Sequence, residues 1–122
     1  MAIDAKLADE NYCYITTTGR LSGRPHTVEI WFALDGATLY VLAGGGHNAD
    51  FVKNAKRQAS VAVRVGTSEF TASARVVTDA AEDARARALV YDKYSRDYGD
   101  LKEWRRTALA VAFDLDGPSV AT

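Results

Sequence analysis

The residues best suited to chemistry in this chain fall into three groups. The first is the run Gly19-Arg20-Leu21-Ser22-Gly23-Arg24-Pro25-His26. A glycine-bounded turn exposes backbone N–H groups, and such a concavity can cradle a phosphate-like anion. Arg20 and Arg24 would add charge-assisted, bidentate contacts, Ser22 a hydroxyl and His26 a further donor. Taken alone, the same run reads first as a polar hairpin with its arginines in solvent, since charged turns are common. The second group is Leu42-Ala43-Gly44-Gly45-Gly46, followed by His47 and Asn48. Small residues at a strand end let a flat ring lie against bare backbone. A helix starting nearby would offer its N-terminal dipole to negative charge. An ordinary connector has the same composition, and the dinucleotide pattern G-x-G-x-x-G is absent. The third group is Tyr91, Tyr94 and Tyr98, whose spacing puts them on one side of a helix with Ala84, Ala88 and Ser95. Such a face is a core or interface stripe, or else a wall against which a planar substrate stacks. Trp31, Phe32 and Phe51 read as core, with Trp31 also able to face a pocket.

Charge narrows the partners. The chain has 122 residues, with 15 Lys+Arg against 16 Asp+Glu and a net charge of -1. A nucleic-acid binder usually carries a clear positive excess, so that class is disfavoured. The basic residues nevertheless cluster: Lys53, Lys56 and Arg57 in one place, Arg105 and Arg106 in another. Such clusters can hold a small anion on a near-neutral protein. One cysteine, Cys13, excludes an internal disulfide, and with two histidines it is too little for an ordinary zinc site. Residues 1–10 carry no apolar run of signal-peptide type, and no stretch approaches a membrane span, so the expectation is a cytoplasmic protein. Neither a G-x-S-x-G elbow nor a P-loop is present.

Length and patterning predict a single domain over residues 1–122. A short leading helix over 4–10 precedes a strand over 12–18, rich in aromatic and β-branched residues. Residues 19–23 turn, and 25–34 form a second strand with Pro25 at its start. Asp35-Gly36 is a hairpin signal before a third strand over 38–43. Asn48 is placed to cap a helix ending near Arg57. Strands over 60–65 and 69–77 follow, then a helix opened by a capping-box-like Asp79 and Glu82 and stopped at Gly99. A helical stretch over 101–106 and a strand over 109–115 close the chain. Consecutive hairpins predict a mainly antiparallel sheet of about six strands with helices packed outside, an α+β or mainly β barrel.

Taken together, TTTGR-x-SG-x-P, a strand with an aromatic pair, an Asp-Gly hairpin, a small-residue loop and then A-D-F-V-K-N resemble one family. It is the flavin/deazaflavin oxidoreductases, which include the deazaflavin-dependent nitroreductases and sit with the pyridoxamine 5′-phosphate oxidase-like split barrels. The motifs cover residues 16–66, and the remainder agrees in element order. The resemblance implies a six-stranded antiparallel split β-barrel with flanking helices, active as a homodimer. It implies Arg20, Ser22, Arg24 and His26 near a cofactor phosphate, and Leu42, Ala43, Gly44, Gly45 and Gly46 beside an isoalloxazine-like ring. Phe51 and Asn54 would help close the site. Lys53, Lys56 and Arg57 would meet the acidic oligoglutamate tail of coenzyme F420. Two departures stand out: Leu21 and His26 occupy positions that are basic in many nitroreductase-type members, and the N-terminus is short.

The implied activity is hydride transfer from reduced F420 to an electron-poor acceptor: an activated alkene, a quinone or a nitroaromatic. Trp31, Tyr91, Tyr94 and Tyr98 would line the substrate pocket. Tyr94 or Tyr98 is the expected proton source, with solvent as the alternative. An FMN-dependent enzyme on the same fold is the main rival, and a non-catalytic carrier of cofactor, haem or lipid is another.

Overall fold

In the computed structural model, which describes residues 3–118, alternation of side chains sets the sheet. Strand β1 (Cys13–Thr18) turns Cys13, Ile15 and Thr17 inward and leaves Tyr14, Thr16 and Thr18 half-exposed. Strands β2 (Pro25–Ile30), β3 (Ala33–Asp35) and β4 (Thr38–Ala43) follow, then helix α1 (Asp50–Arg57). Next come β5 (Ser60–Val65), β6 (Ser68–Val76), the long helix α2 (Ala80–Tyr98), the short helix α3 (Lys102–Thr107) and β7 (Leu109–Pro118). Every strand pairing is antiparallel, in the order β2-β1-β5-β6-β7-β4-β3. The two edge strands, β2 and β3, are joined by Trp31 and Phe32 alone. A flat sheet cannot bring its edges that close, so this one curls into a split barrel.

That junction is also where expectation and structure part. Residues 25–34 read as one strand, and the sheet as six; the break at Trp31-Phe32 makes seven. The physical reason is pairing. Pro25–Ile30 is zipped to β1 and Ala33–Asp35 to β4, on opposite edges. Phe32 leaves the ladder altogether: its N–H donates to the Tyr94 hydroxyl at 3.1 Å.

Two apolar clusters hold the curl. Inside it lie Ile15, Phe32, Leu39, Val41, Val63, Val65 and Phe113, with Phe51, Val52 and Ala55 of α1 packed among them. Outside it, Tyr40, Leu42, Ala110 and Ala112 meet Ala86, Val90 and Tyr94 of α2. Strand β4 is therefore buried on both faces, Leu39 and Val41 on one and Tyr40 and Leu42 on the other. The alanines of β7 let α2 lie close against the sheet. Each fully buried Val, Leu or Phe contributes about 1.5–3 kcal/mol.

Caps agree with expectation in part. Asp79 accepts the Glu82 N–H at 2.9 Å and opens α2, but the Glu82 side chain does not reach back. It takes both Arg75 Nη1 and Nη2, at 2.6 and 2.7 Å, and the Tyr40 hydroxyl at 2.7 Å. Arg75 and Tyr40 hold the Glu82 carboxyl down at about 2. Asn48 does not cap α1. A 3-10 turn over Gly46–Asn48 uses its N–H on Gly45 O, and Ala49 takes the cap position.

Candidate functional site

The 19–26 turn is tight, and its side chains fold back over its first glycine. A Cβ on Gly19 would lie 2.7 Å from the His26 ring and from Ser22 Oγ. Gly23, at φ +73°, adopts a conformation that L side chains avoid. Gly19 N–H donates to Arg24 O and Gly23 N–H to Gly19 O, both at 2.8 Å. Ser22 Oγ accepts the Arg24 N–H at 3.1 Å and lies 3.5 Å from His26 Nε2. Ser22, Arg24 and His26 all face solvent at this tip.

One buried amide fastens the turn to α1. Asn54, 3% exposed, accepts from Arg20 N–H at 3.1 Å and from Arg20 Nη1 at 2.9 Å. Its Nδ2 donates to Thr17 Oγ1 at 3.1 Å, and Thr17 is itself buried. Arg20 Nη2 reaches Asp50 Oδ1 at 3.3 Å. Arg20, expected among the phosphate ligands, thus has its guanidinium engaged in pinning the turn to the helix, beside a carboxylate. Phe51, expected to help close the site, packs into the barrel core.

Gly44, Gly45 and Gly46 lead from β4 through the 3-10 turn into α1, so the glycine run and the arginine turn are linked through that helix. Leu42 and Ala43, expected beside the ring, are buried whole, backbone included, because β7 pairs with them; of this run only Gly44, Gly45 and Gly46 reach the surface. Lys56 Nζ contacts His47 Nδ1. The side chains of Arg24, Lys53 and Arg57 have no hydrogen-bond or ion-pair partner among the described residues. This donor set, free cations on the turn and on the helix it is tied to, together with exposed glycine backbone leading into that helix, fits an anionic cofactor with a flat ring.

The aromatic group is rearranged. The Trp31 ring stacks on Tyr94 at 4.3 Å with an interplanar angle of 3°, and meets Tyr98 at 4.6 Å. Trp104 of α3 stands edge-on to Trp31 at 5.7 Å. Tyr91 does not join them; α3 returns beside α2 and puts the Arg105 guanidinium 4.9 Å from its ring. The buried stripe of α2 is Ala86, Val90 and Tyr94, turned from the expected tyrosine face. Tyr94, 1% exposed, donates its hydroxyl to Asn11 O at 2.7 Å and accepts from Phe32 N–H. Burial pushes that phenol up to about 12. Tyr94 is a clamp on the strand break, whereas Tyr98 is 47% exposed. Lys93 reinforces the clamp: its Nζ donates to Glu10 O at 2.6 Å and Phe32 O at 3.0 Å, and lies 3.7 Å over the Phe32 ring. Trp104, Thr17 and Lys93 were not visible as site residues. Trp104 and Lys93 sit in charged stretches with no motif around them, and Thr17, although inside the TTTGR run, carries no local sign of its bond to Asn54.

The model of the F420H(2)-dependent quinone reductase family matches residues 2–116. Among curated proteins none matches the chain. Solved structures with the same fold include an F420-H2 dependent reductase, FDR-A, at TM-score 0.70 and 18% identity over 84% of this chain and 93% of that one. A protein of Bacteroides thetaiotaomicron named for 5-nitroimidazole antibiotic resistance aligns at TM-score 0.73 and 15% identity, over 97% of this chain and 84% of that one. A protein of Listeria innocua named for pyridoxamine 5′-phosphate oxidase aligns at TM-score 0.70 and 19% identity, over 93% and 90% of the two chains. At these identities the likeness shows a shared split-barrel fold. Among the described residues, no helix is long and apolar enough to cross a membrane.

Proposed function

The chain belongs to the F420H(2)-dependent quinone reductase family, and from that premise we propose that it reduces a quinone with F420 as the hydride donor. The observation that carries this reading is the set of unpartnered cations, Arg24 on the turn and Lys53 and Arg57 on α1, the helix that Asn54 ties to that turn and that the glycine run leads into. FMN brings a phosphate, whereas F420 brings a phosphate and an acidic tail, and three free cations suit the second.

When bound in its reduced form, F420 supplies a hydride. The protein does the rest. Arg24, Lys53 and Arg57 hold the anionic groups, with Ser22 and His26 adding donors at the turn. Asn54 and Arg20 keep the turn at a fixed height above α1. The backbone of Gly44, Gly45 and Gly46 forms the floor for the ring. Tyr98 or solvent hands over the proton that must accompany the hydride. Correct placement of donor and acceptor is worth up to about 7–11 kcal/mol in the best intramolecular cases, so no acid–base dyad is required.

Titration of the protein with F420 and with FMN, followed by cofactor fluorescence, tests this. The expected result is tight F420 binding, weak FMN binding, and about tenfold loss of F420 affinity in Lys53→Gln/Arg57→Gln with FMN affinity little changed. Tight FMN binding with weak F420 binding would move the chain to the FMN branch, and binding of neither would favour a carrier. The same reading takes the working form as a homodimer. Sedimentation equilibrium should then give twice the chain mass of 13.2 kDa.

A further inference from the structure

Gly44 is not explained by the fold. Its φ is not in the left-handed region, unlike that of Gly46, and a Cβ there would make only ordinary contacts. Alanine would satisfy both backbone and packing. What glycine leaves is room, and that room lies against the Trp104 indole. The nearest atoms to a Cβ on Gly44 are Trp104 Nε1 at 3.9 Å and Cδ1 at 4.0 Å, the hydrogen-bonding edge of the ring. Among the described residues that N–H has no partner. Its direction is set by packing: Trp104 stands edge-on to Trp31, at 86°, and Trp31 is stacked on the buried Tyr94. A stack of rings thus runs from the core to the surface and holds one free donor over bare backbone.

We propose that the Trp104 indole N–H recognises the substrate by hydrogen-bonding a quinone carbonyl oxygen, with only the carbonyl edge reaching the half-buried Trp104 beside Gly44 and the quinone ring lying against the exposed Tyr98 ring. A quinone is flat and carries acceptors at its ring edge, which matches an aromatic wall with one donor at its rim. The reaction adds a hydride, bringing two electrons and one hydrogen, and then one proton from Tyr98 or solvent, yielding the hydroquinone. Trp104 keeps its own proton throughout. Negative charge grows on the oxygen as the hydride arrives, so the bond strengthens in the transition state. The assignment rests on the quinone reductase reading above and adds the residue that selects the acceptor.

The test uses 15N-labelled protein loaded with oxidised F420 and titrated with menadione. Two indole N–H signals are present, from Trp31 and Trp104, and Trp104→Phe identifies them. The expected result is a downfield shift of the Trp104 signal alone. Trp104→Phe should bind F420 within twofold of the parent, bind menadione about three- to tenfold more weakly, and lose at least that much kcat. An unmoved Trp104 signal while menadione binds, unchanged menadione affinity and kcat in Trp104→Phe, or no menadione binding to the loaded protein each overturns the proposal and leaves F420 use standing. Failure of the parent to bind F420 overturns the underlying reading, and the proposal with it.

Discussion

Two buried polar groups organise opposite sides of this barrel, and they differ in what they leave outside. On the α1 side, Asn54 binds Thr17 and Arg20 and locks a turn whose other arginine, Arg24, stays free. On the α2 side, Tyr94 binds Asn11 and the backbone of Phe32 and locks the strand break, with Trp31 stacked on its ring. One side thus offers charge to solvent and the other offers aromatic surface. The lesson is that neighbouring residues of one motif divide between anchoring the fold and facing solvent. Arg20 and Tyr94 anchor, while their neighbours Arg24 and Tyr98 point outward.

Breaking the α2 anchor should have the largest effect. Tyr94→Ala removes a buried ring and both hydroxyl bonds and should cost about 3–5 kcal/mol in denaturant unfolding. Tyr94→Phe, which keeps the ring, should cost about 1–3 kcal/mol through the unpaired Phe32 N–H and Asn11 O. A Tyr94→Phe protein of unchanged stability but reduced turnover would return Tyr94 to a chemical role. The α1 anchor comes next. Asn54→Ala should cost about 2–3 kcal/mol, and at temperatures where it stays folded it should also weaken F420 binding, since the turn is released. Full stability in that variant would show that the turn does not depend on the amide.

The smallest effect sharpens the same contrast by pH. Burial lowers the Lys93 ammonium to about 8, against the opposing influence of Cys13, Asp9 and Glu10. Between pH 8 and its unfolded value near 10.5 the unfolded chain holds more of that proton. Stability therefore rises with pH across this window, and the gain is lost as pH falls through 8. Urea midpoints for the parent and Lys93→Met should diverge there in the parent's favour. Parallel curves would mean that Lys93 is solvated despite its contacts.

Much of the architecture was legible because it is local. The strand-forming residues of 13–18, 38–43 and 60–65 and the Asp35-Gly36 turn each lie within a few residues, and their elements form where expected. Asp79 caps its own helix for the same reason. The break at Trp31-Phe32 was not legible, because both halves carry strand residues and only their partners, far apart in sequence, pull them to different edges. The tyrosine face was misjudged for a similar reason. Periodicity says which residues share a side of α2, but which side is buried depends on the alanines of β7 and on where α3 returns.

By itself, then, the sequence determined the order of elements, the antiparallel sheet and the family, since propensity, turn chemistry and motif are written in neighbouring residues. Tertiary structure alone decided which arginine anchors and which stays free, which tyrosine is buried, and that Trp104 stands over Gly44. Those outcomes depend on contacts between residues as much as 83 positions apart, as for Tyr94 and Asn11, and only closure of the barrel brings them together.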